Sequence, residues 1–487
     1  MMHADFAVIG GGPAGQKAAI QAAKAGRSVV MIERESTVGG ECVHRGTIPS
    51  KSLRQRAIEH FARNHNGLAP MSDVPIPELL GEVREIISAH TTYMRHQLER
   101  NGVHLLHGQA EFVNEHELAV LSVGGSRNFV HADIIVIATG SIPRRPPEIP
   151  VDHEHILDSD SILSLPYLPQ SLIVLGGGVI ACEYASILSL LGVRVTMIDR
   201  NTQPLGFMDS EIVSYFVNAL RQRGSDFIGG AQPISAEWDD VSQVVVALSD
   251  GQRFTAEKVL CALGRMARVD GLRVERAGLS VDKRGVLSVN GFGQTSVPHI
   301  YAAGDAIGPP SLASASMEQG RRASRHALGL DAHSDQPLIP AGIYAVPELA
   351  SVGITEAEAT AKFGNALVGR ARFDEIARGQ IAGIKDGMLK LVASPDGKLL
   401  GVHVVGEGAT ELVHIGQLAM LAGSSVDTFV DHVFNFPTLA EAYRVAALQI
   451  AMHGEVRSRA PAPVEIDVSM LAARVSSQNA VSAMPLQ

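Results

Sequence analysis

Phe6-Ala-Val-Ile-Gly10-Gly11-Gly12-Pro13-Ala14-Gly15 is an apolar run that breaks into glycines. The run reads as a buried strand, the glycines match G-x-G-x-x-G, and the Ala-rich stretch Ala14 to Ala25 reads as a helix. Gly26 stops that helix, and a second strand, Ser28 to Ile32, ends in Glu33. Each part has a physical task. Gly10 permits the tight turn, Gly12 lets backbone N–H groups approach a pyrophosphate, and Gly15 lets helix pack on strand. The helix N-terminus faces the phosphates and Glu33 is placed for a ribose hydroxyl.

The pattern recurs. Ser171-Leu-Ile-Val-Leu175 leads into Gly176-Gly-Gly178-Val-Ile-Ala181, and the strand Val193 to Ile198 ends in Asp199. From first glycine to acid is 23 positions in both units. One such unit is a common glycine turn of an α/β domain; two in identical register predict two dinucleotide sites. At the second, Asp199 suits the free 2′-hydroxyl of NAD, while Arg200 suits the 2′-phosphate of NADP or is a solvated loop charge.

The length of 487 residues is enough for three or four domains. With 41 Lys and Arg against 51 Asp and Glu, the formal charge of −10 offers nucleic acid and anionic lipid no footprint. Cys42, Cys182 and Cys261 are too few and scattered for a disulfide framework or a Cys-rich metal site, so no metal is expected. Ala4 to Gly15 lacks the basic flank of a secretory signal. Ser171 to Ile198 is apolar and long, but Gly176, Gly177, Gly178, Glu183 and Arg194 interrupt it. These features predict a soluble protein of a reducing, cytoplasmic compartment.

Gly39-Gly-Glu-Cys42-Val-His-Arg-Gly-Thr47-Ile-Pro-Ser-Lys51 resembles the redox-active helix of the pyridine nucleotide–disulfide oxidoreductases, Gly-Gly-x-Cys-x4-Cys-x-Pro-Ser-Lys. Further matches run along the chain: Ile137-Ala-Thr139-Gly140, Ala262-Leu-Gly264-Arg265, Tyr301-Ala-Ala-Gly304-Asp305, and Tyr344 to Glu348 with Val352-Gly353. The resemblance implies FAD in the first site, with Thr139 and Gly140 at the domain crossing, and Gly304 and Asp305 along the ribityl chain. It places NAD or NADP in the second, with Gly264 on the return. The implied fold class is α/β: two Rossmann-like dinucleotide-binding domains plus a C-terminal α+β interface domain. Expected boundaries are 1–147 and 266–336 for the FAD domain, 148–265 for the NAD(P) domain and 337–453 for the interface domain. A homodimer or larger homo-oligomer follows from the last. Residues 454–487, rich in Ala, Ser and Pro, read as a tail, with Val468 to Val475 able to form two helical turns.

Two departures from the family pattern bear on function. The position of the second redox cysteine is Thr47, and a lone Cys42 cannot form the internal disulfide that holds two electrons. The family's His-Pro-Thr-x-x-Glu run is here Phe436-Pro-Thr438-Leu-Ala-Glu441, and Phe carries no proton. Thr438 and Glu441 read instead as a capping box. Lys51 matches the family lysine beside flavin N5, and Glu183 the acid that pairs with it; read without the family, each is a surface charge. Cys42 is either a possible redox centre or a small buried hydrophobe.

Both nucleotide sites without dithiol or base resemble the transhydrogenase branch of this family, of the Si-specific type. Cys42 to Lys51, Pro309 to Ala315 and Phe434 to Leu448 carry that resemblance, with Arg45 standing where the branch has an aromatic residue. The implied activity is ping-pong hydride transfer from NADPH through flavin N5 to NAD⁺, in either direction. The rivals are an NAD(P)H diaphorase acting on quinones, a single-cysteine redox enzyme, and an inactive structural homologue.

Overall fold

A computed structural model describes residues 1–64, 81–332 and 338–453. The first glycine loop ends the central strand of a seven-stranded sheet. Its parallel strands run His104–His107, Val29–Glu33, Met2–Ile9 and Arg127–Ile137, and Ile300–Ala302 pairs with the far end of Arg127–Ile137. The near end of that long strand pairs antiparallel with Glu117–Leu121, which pairs with Gln109–Phe112. The buried positions of these strands are apolar on both faces: one lies under helices, the other against Leu272, Val274 and Leu287 of the returning segment. Phe6, Val8 and Met31 meet Ala18, Ala19 and Ala22 of the helix Pro13–Lys24. Small residues on that helix bring it close to the sheet, and Gly26 follows with a left-handed φ of 78°.

The second unit repeats the plan. Asp226–Gly229, Arg194–Asp199, Ser171–Leu175, Lys258–Cys261 and Ile156–Leu157 form a parallel five-stranded sheet, overlaid by the helix Val179–Leu190. A three-stranded antiparallel sheet, Pro233–Trp238, Val244–Leu248 and Arg253–Ala256, packs beside it. Ser141–Pro143 leaves the first sheet and Arg265–Ala267 returns to it, and these two segments pair antiparallel.

The third body is a five-stranded antiparallel sheet in the order Ala341–Ile343, Leu349–Gly353, Leu399–Val405, Met388–Ala393, Leu367–Arg372. The helices Ala409–Leu421 and Glu441–His453 cover it. Tyr443 is buried between them, its hydroxyl donating to the Leu412 carbonyl at 2.7 Å and accepting from Gly416 N–H at 3.1 Å. The fold is therefore two Rossmann-like units and an α+β domain, as the motif order predicts.

The capping box expected at Thr438 and Glu441 does not form. The Thr438 hydroxyl donates to the Asn435 carbonyl at 2.8 Å, and Glu441 N–H reaches the Thr438 carbonyl at 3.4 Å. A full capping box stands instead at Thr355 and Glu358, ahead of the helix Glu356–Phe363. The helical turns expected at Val468 to Val475 lie outside the described residues.

An ionic knot joins the second unit to the third. Lys390, on the strand Met388–Ala393, is only 1% exposed. Its ammonium lies 2.8 Å from Asp209, 2.9 Å from Glu211 and 2.7 Å from Glu356. Asp209 also caps the helix Ser210–Gln222, accepting from Glu211 N–H at 3.1 Å. Arg370 completes the knot at 2.8 Å from Glu211 and 3.1 Å from Glu356. Among the described residues, no helix is long and apolar enough to cross a membrane.

Candidate active site

Both glycine loops end central strands and open into helices, and their backbones are near copies. Gly12 caps the first helix at φ −75°, ψ −174°, and Gly178 the second at φ −80°, ψ −177°. Gly10 and Gly176 turn at φ 106° and 116°; a Cβ there would stand 2.3 Å from the Ala138 carbonyl oxygen and 2.5 Å from that of Ala262. Those first glycines are required by the turn itself. Gly15 is a packing residue, its absent Cβ leaving 1.9 Å to the Gly10 carbonyl oxygen. Gly12 and Gly178 are different: their φ suits any residue, and a Cβ would meet only Gly40 Cα at 3.9 Å or, at Gly178, nothing within 4 Å. The space they leave is open for a ligand.

That contrast gives a clean test. Gly178→Ala is expected to leave the melting temperature unchanged within about 1–2 °C. It should raise the KM for NAD(P)H about tenfold or more, because the methyl group fills the pyrophosphate approach. Isothermal titration with unchanged affinity would show that no phosphate sits there.

One cavity of about 1120 Å³ takes in the first glycine loop, the redox-type helix, the crossing segments and the start of the second helix. Of the residues singled out by sequence, Gly10, Gly12, Glu33, Cys42, Lys51, Thr139, Gly140, Gly304 and Asp305 line it. Gly178, Glu183 and Gly264 reach it from the second unit. Gly15, Gly176, Asp199 and Arg200 lie outside its wall. The first two act on the backbone, and Asp199 lies against the second loop, its carboxyl carbon 3.1 Å from where a Gly177 Cβ would stand.

Glu33 is buried, its two oxygens accepting from Gly11 N–H at 2.7 Å and Glu35 N–H at 2.9 Å. Asp199 makes the corresponding bond to Asn201 N–H at 2.7 Å. At the crossing, Arg265 donates to the Ser141 hydroxyl at 2.7 Å, and that hydroxyl donates to Asp305 at 2.5 Å. This relay holds the Asp305 carboxylate across the seam between outgoing and returning strands.

Lys51 and Glu183 come together from helices 132 positions apart. The ammonium donates to both carboxylate oxygens, at 2.8 and 2.7 Å, and lies 3.3 Å from the Ser50 hydroxyl. The Glu183 side chain is 5% exposed and that of Lys51 25%, so the cation faces the cavity and the acid backs it. Burial pushes the Cys42 thiol up, more than the Thr47 hydroxyl and the Lys51 charge pull it down. It is therefore a protonated thiol at neutral pH, which disfavours nucleophilic work. Arg45 is held 3.0 Å from Glu41, and Arg268 approaches the same oxygen at 3.6 Å. Burial, with Asp160 nearby, pushes the Glu41 carboxyl up. Phe436 is 73% exposed on the outer turn before the last helix.

Asp160, Tyr184, Tyr344 and His414 also line the cavity, and none was singled out as a site residue from the sequence. Tyr344 opens the Tyr344 to Glu348 match, which marks the start of the interface domain but not a place in the cavity; Asp160, Tyr184 and His414 lie on separate segments where spacing gives no signal. Three buried polar atoms on the wall have no protein partner: Glu41 Oε2, Thr139 Oγ1 and Tyr184 Oη. Buried polar groups left without partners on residues that line a cavity fit a polar ligand there better than a dry protein core. Together with the open faces of Gly12 and Gly178, they suit a dinucleotide with a second one entering beside it.

Residues 4–320 match the model of the pyridine nucleotide-disulphide oxidoreductase family, and residues 339–447 match its dimerisation domain. The chain belongs to that family, an oxidoreductase family whose members imply FAD and NAD(P). More particularly, it is 43% identical to a soluble pyridine nucleotide transhydrogenase of Mycobacterium tuberculosis, over 92% of this chain and 97% of the relative. The enzyme of that name from Vibrio atlanticus is 41% identical over the same shares. Among solved structures, LpdA of Mycobacterium tuberculosis superposes with a TM-score of 0.85 at 26% identity, over 92% of this chain and 100% of that one. The HOCl-induced flavoprotein disulfide reductase RclA of Escherichia coli gives 0.83 at 27% identity, over 91% and 99%.

Proposed function

We infer that this protein is an FAD-dependent transhydrogenase that moves hydride between NADPH and NAD⁺. The observation that carries the reading is the intact Lys51–Glu183 pair beside a cavity in which Thr47 replaces a redox cysteine, with Phe436 in place of the base. FAD, when bound, supplies an N5 that takes up a hydride from one nicotinamide and gives it to another. Gly10, Gly12, Glu33, Thr139, Gly140, Gly304 and Asp305 would hold FAD. Gly176, Gly178, Asp199, Arg200 and Gly264 would hold the pyridine nucleotide, with Asp199 serving NAD and Arg200 the extra phosphate of NADP.

Lys51 keeps positive charge where reduced flavin gathers negative charge, and Glu183 keeps the lysine placed. Hydride exchange needs no thiol and no proton shuttle, so Thr47 and Phe436 do no harm. Among the described residues, one glycine cradle remains for both pyridine nucleotides, so one must leave before the other enters. That is ping-pong exchange. Assignment to the Si-specific type rests on the resemblance to the transhydrogenase branch, and the dimerisation domain supports a homodimer.

The test is oxidation of NADPH with thio-NAD⁺ as sole acceptor, with oxidised lipoamide and a quinone in parallel. Thio-NADH formation with inert lipoamide is the expected result. Quinone loss without thio-NADH would replace the reading with a diaphorase.

A further inference from the structure

Two groups on the interface domain touch the Lys51–Glu183 pair, although its two members belong to the other domains. Tyr344 N–H donates to Glu183 Oε1 at 3.0 Å. The Tyr344 ring lies under the Lys51 ammonium, with Nζ 4.9 Å from the ring centroid. The segment that carries this tyrosine is fixed from both sides. Arg54, one turn along the helix from Lys51, donates to the Ala345 carbonyl at 2.9 Å and pairs with Glu348 at 2.9 Å. Ser186, one turn along from Glu183, accepts from Val346 N–H at 3.0 Å. Arg223 donates to the Val346 carbonyl at 2.8 Å. Residues 344–348 are thus a wedge held by the helix that carries Lys51 and Arg54, by the helix Val179–Leu190, and by Arg223 at the end of the helix Ser210–Gln222.

A lysine whose hydrogens point at one carboxylate is drawn into that carboxylate. An aromatic face on another side opposes the pull, because the ring's negative quadrupole attracts the same cation. The carboxylate, in turn, gives part of its charge to a backbone N–H. Both contacts loosen the hold of Glu183 on the ammonium, so the place of Lys51 at the cavity wall depends on Tyr344.

We propose that Tyr344 is a positioning residue that holds the Lys51 ammonium toward the cavity and so sets the charge felt by a flavin bound there. The proposal rests on the assignment of FAD to this cavity. It makes the interface domain a contributor to the flavin's electronics, in addition to any role in pairing subunits.

The test replaces Tyr344 in the holoenzyme by Phe and then by mono-, di- and trifluorinated Phe, which strip electron density from the ring at nearly constant shape. The readout is the flavin reduction potential, taken by equilibration with a reference dye without any pyridine nucleotide. The NADPH half-reaction is followed alongside. The potential is expected to fall with each fluorine, and the half-reaction to slow about 3- to 10-fold across the series, with KM for NADPH unmoved. A flat series would overturn the proposal, as would a rise in KM with an unmoved potential, the mark of a packing role. Tyr344→Leu checks the limit. Absent thio-NADH with the fluorine trend intact would count against transhydrogenation alone.

Discussion

Lys390→Met is expected to cost ~3–5 kcal/mol of unfolding free energy, read as a lower urea midpoint or melting temperature. The methionine fills the same volume, so little packing is lost. What it removes is, among the described residues, the only cation within 3 Å of three carboxylates at once, those of Asp209, Glu211 and Glu356. Arg370 still reaches Glu211 and Glu356, but Asp209 is left buried without a cation, accepting from Glu211 N–H at 3.1 Å and Glu356 N–H at 3.3 Å. Lys390→Arg should recover part of the loss. A change under about 1 kcal/mol would mean that water enters the knot and solvates the acids.

The pH dependence of that variant follows. Burial alone would raise Asp209 and Glu211, yet hydrogen bonds from Lys390 and Arg370 hold both below the ordinary carboxylate range. Burial likewise opposes the charge on Lys390, and the three acids outweigh it and raise the ammonium above its usual value. The lowered acids contribute stability that is present above about pH 4 and lost as pH falls through their folded values. The raised lysine contributes stability present below about pH 10.4 and lost as pH climbs through its folded value. The gap between wild type and Lys390→Met should therefore be widest near neutrality and shrink below about pH 4.

Lys51→Met should slow reduction of the bound flavin by NADPH about 100-fold while FAD remains bound, as stopped-flow absorbance would show. Two losses combine. The charge that favours reduced flavin goes, and Glu183, 5% exposed, is left as an acid without its cation. Glu183→Gln should be milder, since an amide still accepts from the ammonium and from Tyr344 N–H. A Lys51→Met rate within threefold of wild type would remove this pair from the chemistry.

The sequence alone carried the two Rossmann-like units, because their evidence is local. A strand, a glycine turn, a helix and an acid within 23 positions obey backbone sterics and hydrophobic period, which neighbours in the chain decide. Thr47 and Phe436 were legible in the same way, as residue types that cannot perform a reaction wherever the chain places them. Tertiary structure decided what depends on meetings between distant segments. Tyr344 gains its place only because three domains converge on Glu183, and Lys390 is a buried cation only because Asp209, Glu211 and Glu356 arrive around it. The capping box is a local exception: Thr438 and Glu441 have the right spacing, but the hydroxyl donates to the Asn435 carbonyl three residues back, a competing local bond that spacing alone does not exclude. Side-chain charge and hydrogen bonding are settled by whichever groups come within about 3 Å, and across domains that distance is set by packing rather than by order along the chain.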